Sequence, residues 1–147
     1  MIAATDDAPA KLSFALPKQR RLRARAEFQK VYAEGQRYDG RLMAAFLRAN
    51  DAAEQRLGVT ASTKAIGKSV DRVRAKRLLR ELFRRSLTDL GALRQRYDWV
   101  INAKRPLLTS TEELRFKEFR RIVEQVARAE RNQTPLPLGE GGGEGRS

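Results

Sequence analysis

The chain has 147 residues, and its 31 Lys and Arg against 18 Asp and Glu give a formal net charge of +13, with no cysteine and no histidine. This length supports one domain, and the missing cysteines exclude a disulfide framework and a thiolate zinc site. The missing histidines exclude imidazole as a general base. Since no GxSxG or P-loop sequence is present either, we expect no catalysis by the protein itself.

The first part of the chain predicts a loose extension, a basic stretch and a helix. Residues 1–17 are expected to be a flexible extension, and residues 18–25 are mostly cationic. A first helix is expected over 24–34, because Gly35 suits the position just past a helix end. The side chains at helical spacing in this segment are Phe28, Val31 and Tyr32.

Two strands are expected next, over 41–49 and 55–62, and we interpret them as a hairpin closed by a turn at 50–54. Alternation places Met43, Ala45 and Leu47 on one face of the first strand and Leu42, Ala44 and Phe46 on the other. A long helix is expected over 71–90.

A third strand is expected over 97–103 and a last helix over 111–129. Residues 131–147 are rich in Pro and Gly and predict a disordered tail, which leaves 18–130 as the folded domain. The order helix, strand, strand, helix, strand, helix predicts an α/β (α+β) single domain on a small sheet of three to four strands.

The densest positive charge lies in residues 63–85, where nine Lys and Arg face only Asp71 and Glu81. At 100° per residue, the apolar side chains and the arginines of the expected helix gather on opposite sides. The apolar side holds Leu78, Leu79, Leu82, Phe83 and Leu87, and the basic side holds Arg74, Arg77, Arg80 and Arg84. Like charges at this spacing destabilise a helix, so a polyanionic partner is expected to supply the countercharge.

This basic helix face has two interpretations. One is a solvated face that is Arg-rich by coincidence, and the other is a ridge whose guanidinium groups bridge the phosphates of a nucleic acid. We favour the second because the whole chain is strongly basic, with a pI near 11.0. The positive residues are also spread over most of the chain, unlike those of a membrane-bound amphipathic helix.

Ordered motifs surround this helix and extend over about residues 20–126. In chain order they are Phe28-Gln-Lys-Val31-Tyr32 with Gly35, Leu57-Gly58-Val59, Ser62 and Lys64, then Gly67, Val70, Arg72, Arg74, Lys76, Arg77, Arg80 and Glu81, and finally Ala103-Lys104-Arg105-Pro106. This ordered set resembles the protein subunit of bacterial ribonuclease P. The hallmark of that family is a strand, a Ser/Lys turn and a helix that opens with an Arg-Asn-Arg triplet followed by Lys-Arg.

The chain departs from the family pattern in the turn and at the start of the helix. Val73 stands where the family has the Asn of the triplet, Thr63 replaces the first of two turn lysines, and Lys68-Ser69 replaces Asn-Ala. Valine can neither accept a hydrogen bond nor ligate a metal ion. A metal contact made by that Asn in relatives is therefore not transferred to this chain.

The resemblance implies a ribonucleoprotein enzyme in which a catalytic RNA subunit, using Mg²⁺, removes the 5′ leader of precursor tRNA. This chain is then the RNA-binding protein subunit, with no catalytic residue and no cofactor of its own. The resemblance also implies an uncommon left-handed crossover, against the usual right-handed rule. The residues it assigns to RNA binding are Lys64, Lys68, Arg72, Arg74, Lys76, Arg77, Arg80 and Arg84.

The resemblance further implies a cleft between the first helix and the sheet that grips the single-stranded leader. Aromatic side chains beside Lys and Arg suit such binding, because every base offers a face for stacking. Isolated aromatic residues more often belong to the core, and it is the resemblance that assigns Phe28, Tyr32 and Phe46 to the cleft. Trp99 is expected in the core or on the other face of the sheet.

Two other functions stay open from the sequence. A non-catalytic RNA-binding protein of ribosome or assembly-factor type needs the charge but not the ordered motifs, and a metal-free endonuclease has only scattered carboxylates available. Neither DNA nor a membrane is an expected partner. No apolar run approaches the roughly 18 residues that span a bilayer, and the first residues are polar, so a cytoplasmic location is expected.

Overall fold

The computed structural model describes residues 17–52 and 54–133, which form four strands and four α-helices. The elements are α1 (Arg25–Glu34), β1 (Gln36–Asp39), β2 (Met43–Ala49), β3 (Arg56–Thr60), α2 (Ser69–Arg85), α3 (Leu87–Leu90), β4 (Tyr97–Ala103) and α4 (Glu112–Gln133), with 3₁₀ turns at Lys18–Arg20 and Arg105–Thr109. The expected α+β class is confirmed. Within the described ranges, no helix combines the length and apolar character needed to cross a membrane.

The sheet has the strand order β1-β2-β4-β3, which shows that the predicted hairpin is wrong. β2 pairs antiparallel with β1 and with β4, whereas β3 pairs in parallel with β4. The strands predicted at 41–49 and 55–62 are therefore not neighbours. The hairpin partner of β2 is β1, whose sequence Gln-Arg-Tyr-Asp has no apolar alternation and so gave no strand signal.

The apolar character of β4 explains why it separates β2 from β3. Trp99, Val100 and Ile101 are all fully buried, so this strand is covered on both faces. A hairpin of β2 with β3 would have left β4 at an edge, with one row of backbone groups unpaired inside an apolar environment. Because β3 and β4 are parallel neighbours, α2 is the helix of a crossover connection. The left-handed sense of this crossover stays a prediction.

The two faces of the sheet support cores of different size. The main core lies beneath α2 and α4, and the β2 side chains predicted for one face, Met43, Ala45 and Leu47, all belong to it. Leu42, predicted for the opposite face, is also in this main core because it precedes the strand and escapes its alternation. A smaller second cluster beneath α1 consists of Leu22, Val31 and Val100, with Phe28 and Phe46 packed against it.

The second and the last predicted helix differ from the helices observed. The helix predicted over 71–90 is divided at Ser86, whose N–H donates to the carbonyl of Phe83 at 3.0 Å and so closes a tighter turn than an α-helix. The last helix continues to Gln133, past the predicted start of the tail. The predicted N-terminal extension up to residue 16 and the tail from 134 onward lie outside the described residues.

Two buried carboxylates fasten α4 to the rest of the domain. Glu118 accepts hydrogen bonds of 2.9–3.1 Å from the backbone N–H groups of residues 41–43, in the turn between β1 and β2. Glu130 accepts from the N–H groups of residues 94–95 and, at 2.6 Å, from the Tyr97 hydroxyl. The carboxylates of Glu118 and Glu130 thus accept hydrogen bonds from backbone N–H groups that would otherwise have no partner in a strand or helix.

We expect Glu118→Gln to lower the free energy of unfolding by about 2–3 kcal/mol, because an amide N–H₂ would then face backbone N–H donors and the charge would be lost. Denaturant unfolding measures the change. Glu124→Gln, on the exposed side of the same helix, is the matched control and should alter stability by less than about 0.5 kcal/mol. Equal effects of the two substitutions would contradict a structural role for Glu118.

Candidate nucleic-acid interface

The side of α2 that faces away from the sheet forms a basic ridge. The ridge consists of Arg74, Arg77, Arg80 and Arg84, of which the first three are exposed and the last is half-buried. The opposite, buried side of the helix consists of Ala75, Leu79, Leu82 and Phe83. This confirms the predicted phase of the helix, although Leu78 and Leu87 are only half-buried.

The protein leaves most of the ridge charge uncompensated. Within the described residues, no carboxylate lies at ion-pair distance from Arg74, Arg77 or Arg80. Glu81, on the same helix, pairs instead with Arg85 at 3.6 Å. Guanidinium groups without acidic partners are suited to bind phosphate oxygens, because each offers a fork of charged N–H donors.

Cations also run along one flank of α2, where Arg72, Lys76 and Arg80 follow each other at four-residue spacing. The opposite flank packs against α4, and Arg85 there pairs with Glu112 at 2.9 Å. Arg72 donates from Nε to a carbonyl of the preceding loop at 3.2 Å, and Lys76 is half-buried. Arg72 and Lys76 are therefore partly engaged within the protein and less available to a phosphate. Arg80 belongs to both the flank and the ridge.

Lys64 and Lys68 are exposed on the loop between β3 and α2, and this loop is held in place. The Ile66 side chain is 1% exposed, and its carbonyl accepts a hydrogen bond from the Arg105 guanidinium. Gly67 has a φ of +102°, a conformation that residues with a side chain rarely adopt. Gly67 and Arg105 thus fix the backbone of the loop that carries Lys64 and Lys68.

Arg21 belongs to this basic surface, although the sequence did not single it out. A bridge to Leu57 places the segment before α1 beside β3, and the Leu22 N–H donates to the Leu57 carbonyl at 2.9 Å. Leu22 is buried beneath α1, and successive side chains of an extended segment point in opposite directions, so Arg21 points towards α2. Partial burial, together with repulsion from Arg21 and Arg77, lowers the pKa of the Arg80 guanidinium.

The predicted cleft lies between α1 and the sheet, and the structure brings two of its three aromatic rings into contact. The rings of Tyr32 and Phe46 meet edge to face, with centroids 4.9 Å apart. The Tyr32 hydroxyl donates to Asn102 Oδ1 at 2.8 Å, and the Thr60 hydroxyl donates to the same oxygen at 2.7 Å. Tyr32 remains 41% exposed, so its ring is available for stacking.

Phe28, the third ring, lies on the same face of the sheet beneath α1. It is half-buried against the second cluster, and a Cβ at Gly58 would lie 2.5 Å from Phe28 Cζ, so a side chain there would require the Phe28 ring to move. On the other side of the cleft, the Arg37 guanidinium lies 5.5 Å from the centroid of Phe46. Arg37, like Asn102, was missed because a single polar residue in a strand gives no periodic signal.

The acidic side chains of the described residues are dispersed. No group of three or more of them is placed to hold a metal ion. Val73 brings no donor atom to the arginine triplet. The Mg²⁺ expected for the ribonucleoprotein stays a prediction.

A family model described as Ribonuclease P matches residues 16–127. The chain belongs to the ribonuclease P protein family. It is 32% identical over 116 residues to the ribonuclease P protein component of Coxiella burnetii, with 79% of this chain and 93% of the relative covered. For the component of Clostridium botulinum (strain Loch Maree / Type A3) the identity is 39% over 87 residues, covering 59% and 76%. The solved RNase P protein from Thermotoga maritima matches with a TM-score of 0.56 and 28% identity, over 74% of this chain and 96% of that one.

Membership of the family confirms the function expected from the ordered motifs. The role of the chain is that of the protein subunit of ribonuclease P in processing the 5′ ends of tRNA, and its partner is RNA. Charge alone was equally compatible with a ribosomal or assembly-factor protein, which the family match does not support.

Val73, the departure from the family triplet, lies on the exposed side of α2. It is 54% exposed, and Val70, one turn earlier, is 73% exposed. Neither side chain contributes to the buried side of the helix, so two exposed valines precede the first arginine of the ridge.

We expect Val73→Asn to change the free energy of unfolding by less than about 1 kcal/mol, because the site is exposed and the two residues have similar helix propensities. RNA affinity should be retained as well. A denaturant melt and an RNA titration of both variants check this, with Ala75→Asn as the buried comparison on the same helix. A stable Val73→Asn protein with much weaker RNA binding would mean that the partner RNA contacts valine itself.

Proposed function

We propose that the chain binds the catalytic RNA subunit through the basic ridge and holds the 5′ leader of precursor tRNA in the cleft. The observation that carries this proposal is a pair of surfaces on one small domain: an exposed aromatic cleft, and a ridge in which Arg74, Arg77 and Arg80 have no carboxylate of the described residues at ion-pair distance. Arg21, together with the flank of Arg72, Lys76 and Arg80, provides positive charge beside the sheet edge between the two surfaces. A single RNA assembly spanning both surfaces would meet cations along this path.

Each surface supplies a different kind of interaction. The ridge offers guanidinium groups for backbone phosphates, which favours affinity without base selectivity. The cleft offers the exposed ring of Tyr32 and the ring of Phe46, on which unpaired bases stack whatever their identity. Arg37, beside Phe46, is placed to meet a leader phosphate. The cleft therefore suits leaders of many sequences.

Holding the leader in place would contribute to catalysis by positioning. With the leader and the tRNA body both fixed, the phosphodiester at their junction is presented to the active site, and part of the entropy cost of the reaction is met on binding. In this proposal the hydrolytic centre and its Mg²⁺ belong to the RNA subunit, and no side chain of this chain acts as acid, base or nucleophile. The cytoplasmic location expected from the sequence belongs to the same proposal.

Replacing Arg74 and Arg77 together by Ala should flatten the salt dependence of RNA binding. Each lost phosphate contact removes up to about one unit from the slope of log affinity against log salt, so the double variant should lose about two units. The variant Arg128→Ala/Arg131→Ala removes the same charge from exposed positions on α4 and serves as the control. Equal slopes for the two variants would place the ridge away from RNA.

Tyr32→Ala should weaken binding of leader-bearing precursor by about tenfold or more relative to mature tRNA, because stacking is worth roughly 1–3 kcal/mol per base. Binding and cleavage are measured on the holoenzyme reconstituted with its cognate RNA. Tyr32→Phe keeps the ring, loses only the hydroxyl bond to Asn102, and should retain most of the selectivity. Equal loss of affinity for the precursor and for mature tRNA would argue against a leader cleft. Cleavage by the protein without RNA would overturn the proposal that the catalytic centre belongs to the RNA subunit.

A further inference from the structure

A groove of about 650 Å³ lies between α4, the turn between β1 and β2, and the 3₁₀ turn that follows β4. This size is within the range of sites that hold small molecules in proteins. The groove is separate from both surfaces described above. It opens beside the first half of α4, whereas the ridge belongs to α2 and the cleft lies beneath α1 on the other face of the sheet.

The lining of the groove includes three apolar side chains from three different elements. Leu42 comes from the turn before β2, Pro106 from the 3₁₀ turn and Leu114 from the first turns of α4. Leu114 is 50% exposed and Pro106 is exposed, whereas Leu42 is buried in the main core and forms the floor of the groove. The exposed apolar area of Pro106 and Leu114, above this floor, is suited to a flat, weakly polar body such as a nucleobase.

Cations surround this apolar surface. They are Arg41, Lys117, Arg120 and Arg121, and within the described residues none of them lies at ion-pair distance from a carboxylate. Two acids also line the groove, but the carboxylate of Glu118 is engaged by the backbone N–H groups of residues 41–43. Glu124 is the other acid. Four cations against two carboxylates, one of which is already engaged, favour an anionic ligand.

We propose that this groove seats an unpaired nucleotide of the catalytic RNA, with the base on the apolar surface and the adjoining phosphates on the basic rim. This inference rests on the proposed function, because it takes RNA as the partner. A nucleotide matches both features of the groove at once, since it joins an aromatic base to a phosphate anion. The groove is then a third RNA contact, on the side of the molecule away from the leader.

Titration of the ¹⁵N-labelled full chain with uridine monophosphate, followed by NMR, tests the site directly. We expect saturable shifts of amides in residues 41–42 and 107–124. The variant Lys117→Ala/Arg121→Ala should weaken this binding by about tenfold or more, because two charge-assisted contacts are lost. Arg128→Ala/Arg131→Ala, farther along the same helix, should leave it unchanged. Both pairs are exposed, so the fold should tolerate either change.

The ligand series separates the base from the phosphate. Uridine should bind more weakly than its monophosphate, and inorganic phosphate should shift the rim amides without shifting that of Leu114. If inorganic phosphate and the nucleotide shifted the same amides to the same extent, the proposed base contact would be overturned. The groove would then be a binding site for anions alone. NOEs from residues 134–147 to the Leu114 methyl groups would also overturn the proposal, because the chain itself would then occupy the groove.

The holoenzyme distinguishes this inference from the proposed function. With the cognate RNA subunit, Lys117→Ala/Arg121→Ala should reduce the salt slope of RNA binding by about two units while the preference for leader-bearing precursor stays unchanged. An unchanged slope would contradict RNA contact at the groove even if the ridge and cleft behave as proposed. Loss of leader preference in Tyr32→Ala depends on the cleft alone, so it checks the proposed function independently.

Discussion

The burial of β4 on both faces is the constraint on which the rest of the domain depends. Trp99 and Ile101 are enclosed on the side of α2 and α4, and Val100 is enclosed on the side of α1. Polar groups along this strand are satisfied from neighbouring segments. Asp98 receives two hydrogen bonds from the Arg56 guanidinium, at 2.8 and 2.9 Å, and the Trp99 indole N–H donates to buried Gln55 at 2.9 Å. Because β4 needs cover above and below, helices must dock on both sides, and α1 and α2, on opposite sides of the sheet, contribute the two surfaces proposed to bind RNA.

The positions of the acidic residues make the outer surface of the domain more positive. Among residues 17–52 and 54–133, three carboxylates are buried, and each binds donors of the domain itself: Asp98 on β4, and Glu118 and Glu130 on α4. Glu27, at the start of α1, accepts from the backbone N–H groups of residues 23–24, and these bonds, the one from Arg23 above all, lower its pKa. Acids committed to internal bonds are withdrawn from the outer surface. The exposed face of α2 is consequently more positive than a uniform spread of the net charge would make it.

Sequence reasoning succeeded where a periodic signal was strong and failed where the outcome depended on partners distant in the chain. The phase of α2, the extent of β4 and the alternation of Met43, Ala45 and Leu47 all follow from local patterns of apolar residues. The pairing of β2 with β4 does not, because it is decided by which strand must be buried on both faces. The sequence of β1 is polar and has no apolar alternation that would predict a strand. Its conformation is determined by its pairing with β2.

The same division applies to the candidate interface. The ridge could be predicted because its arginines share one helix, and the structure places them on one exposed side. The place of Arg21 on the basic surface depends on the bridge to Leu57. The role of Arg105 depends on the Ile66 carbonyl, which lies across the domain. Both are contacts between segments far apart in sequence. For the cleft, the aromatic residues came from the family resemblance, whereas their support by Asn102 came only from the fold.

The contact between Gly58 and Phe28 makes two distant positions interdependent. A methyl group at position 58 would overlap the ring at position 28, so a larger residue on the strand is compatible only with a smaller one on the helix. Such a compensated pair would keep the core filled while changing the space in front of position 28. If the cleft holds single-stranded RNA as proposed, its depth would thus be set from behind by the residue at position 58. Attempts to widen or narrow this cleft by design should therefore begin at the strand, with positions 28 and 58 varied together.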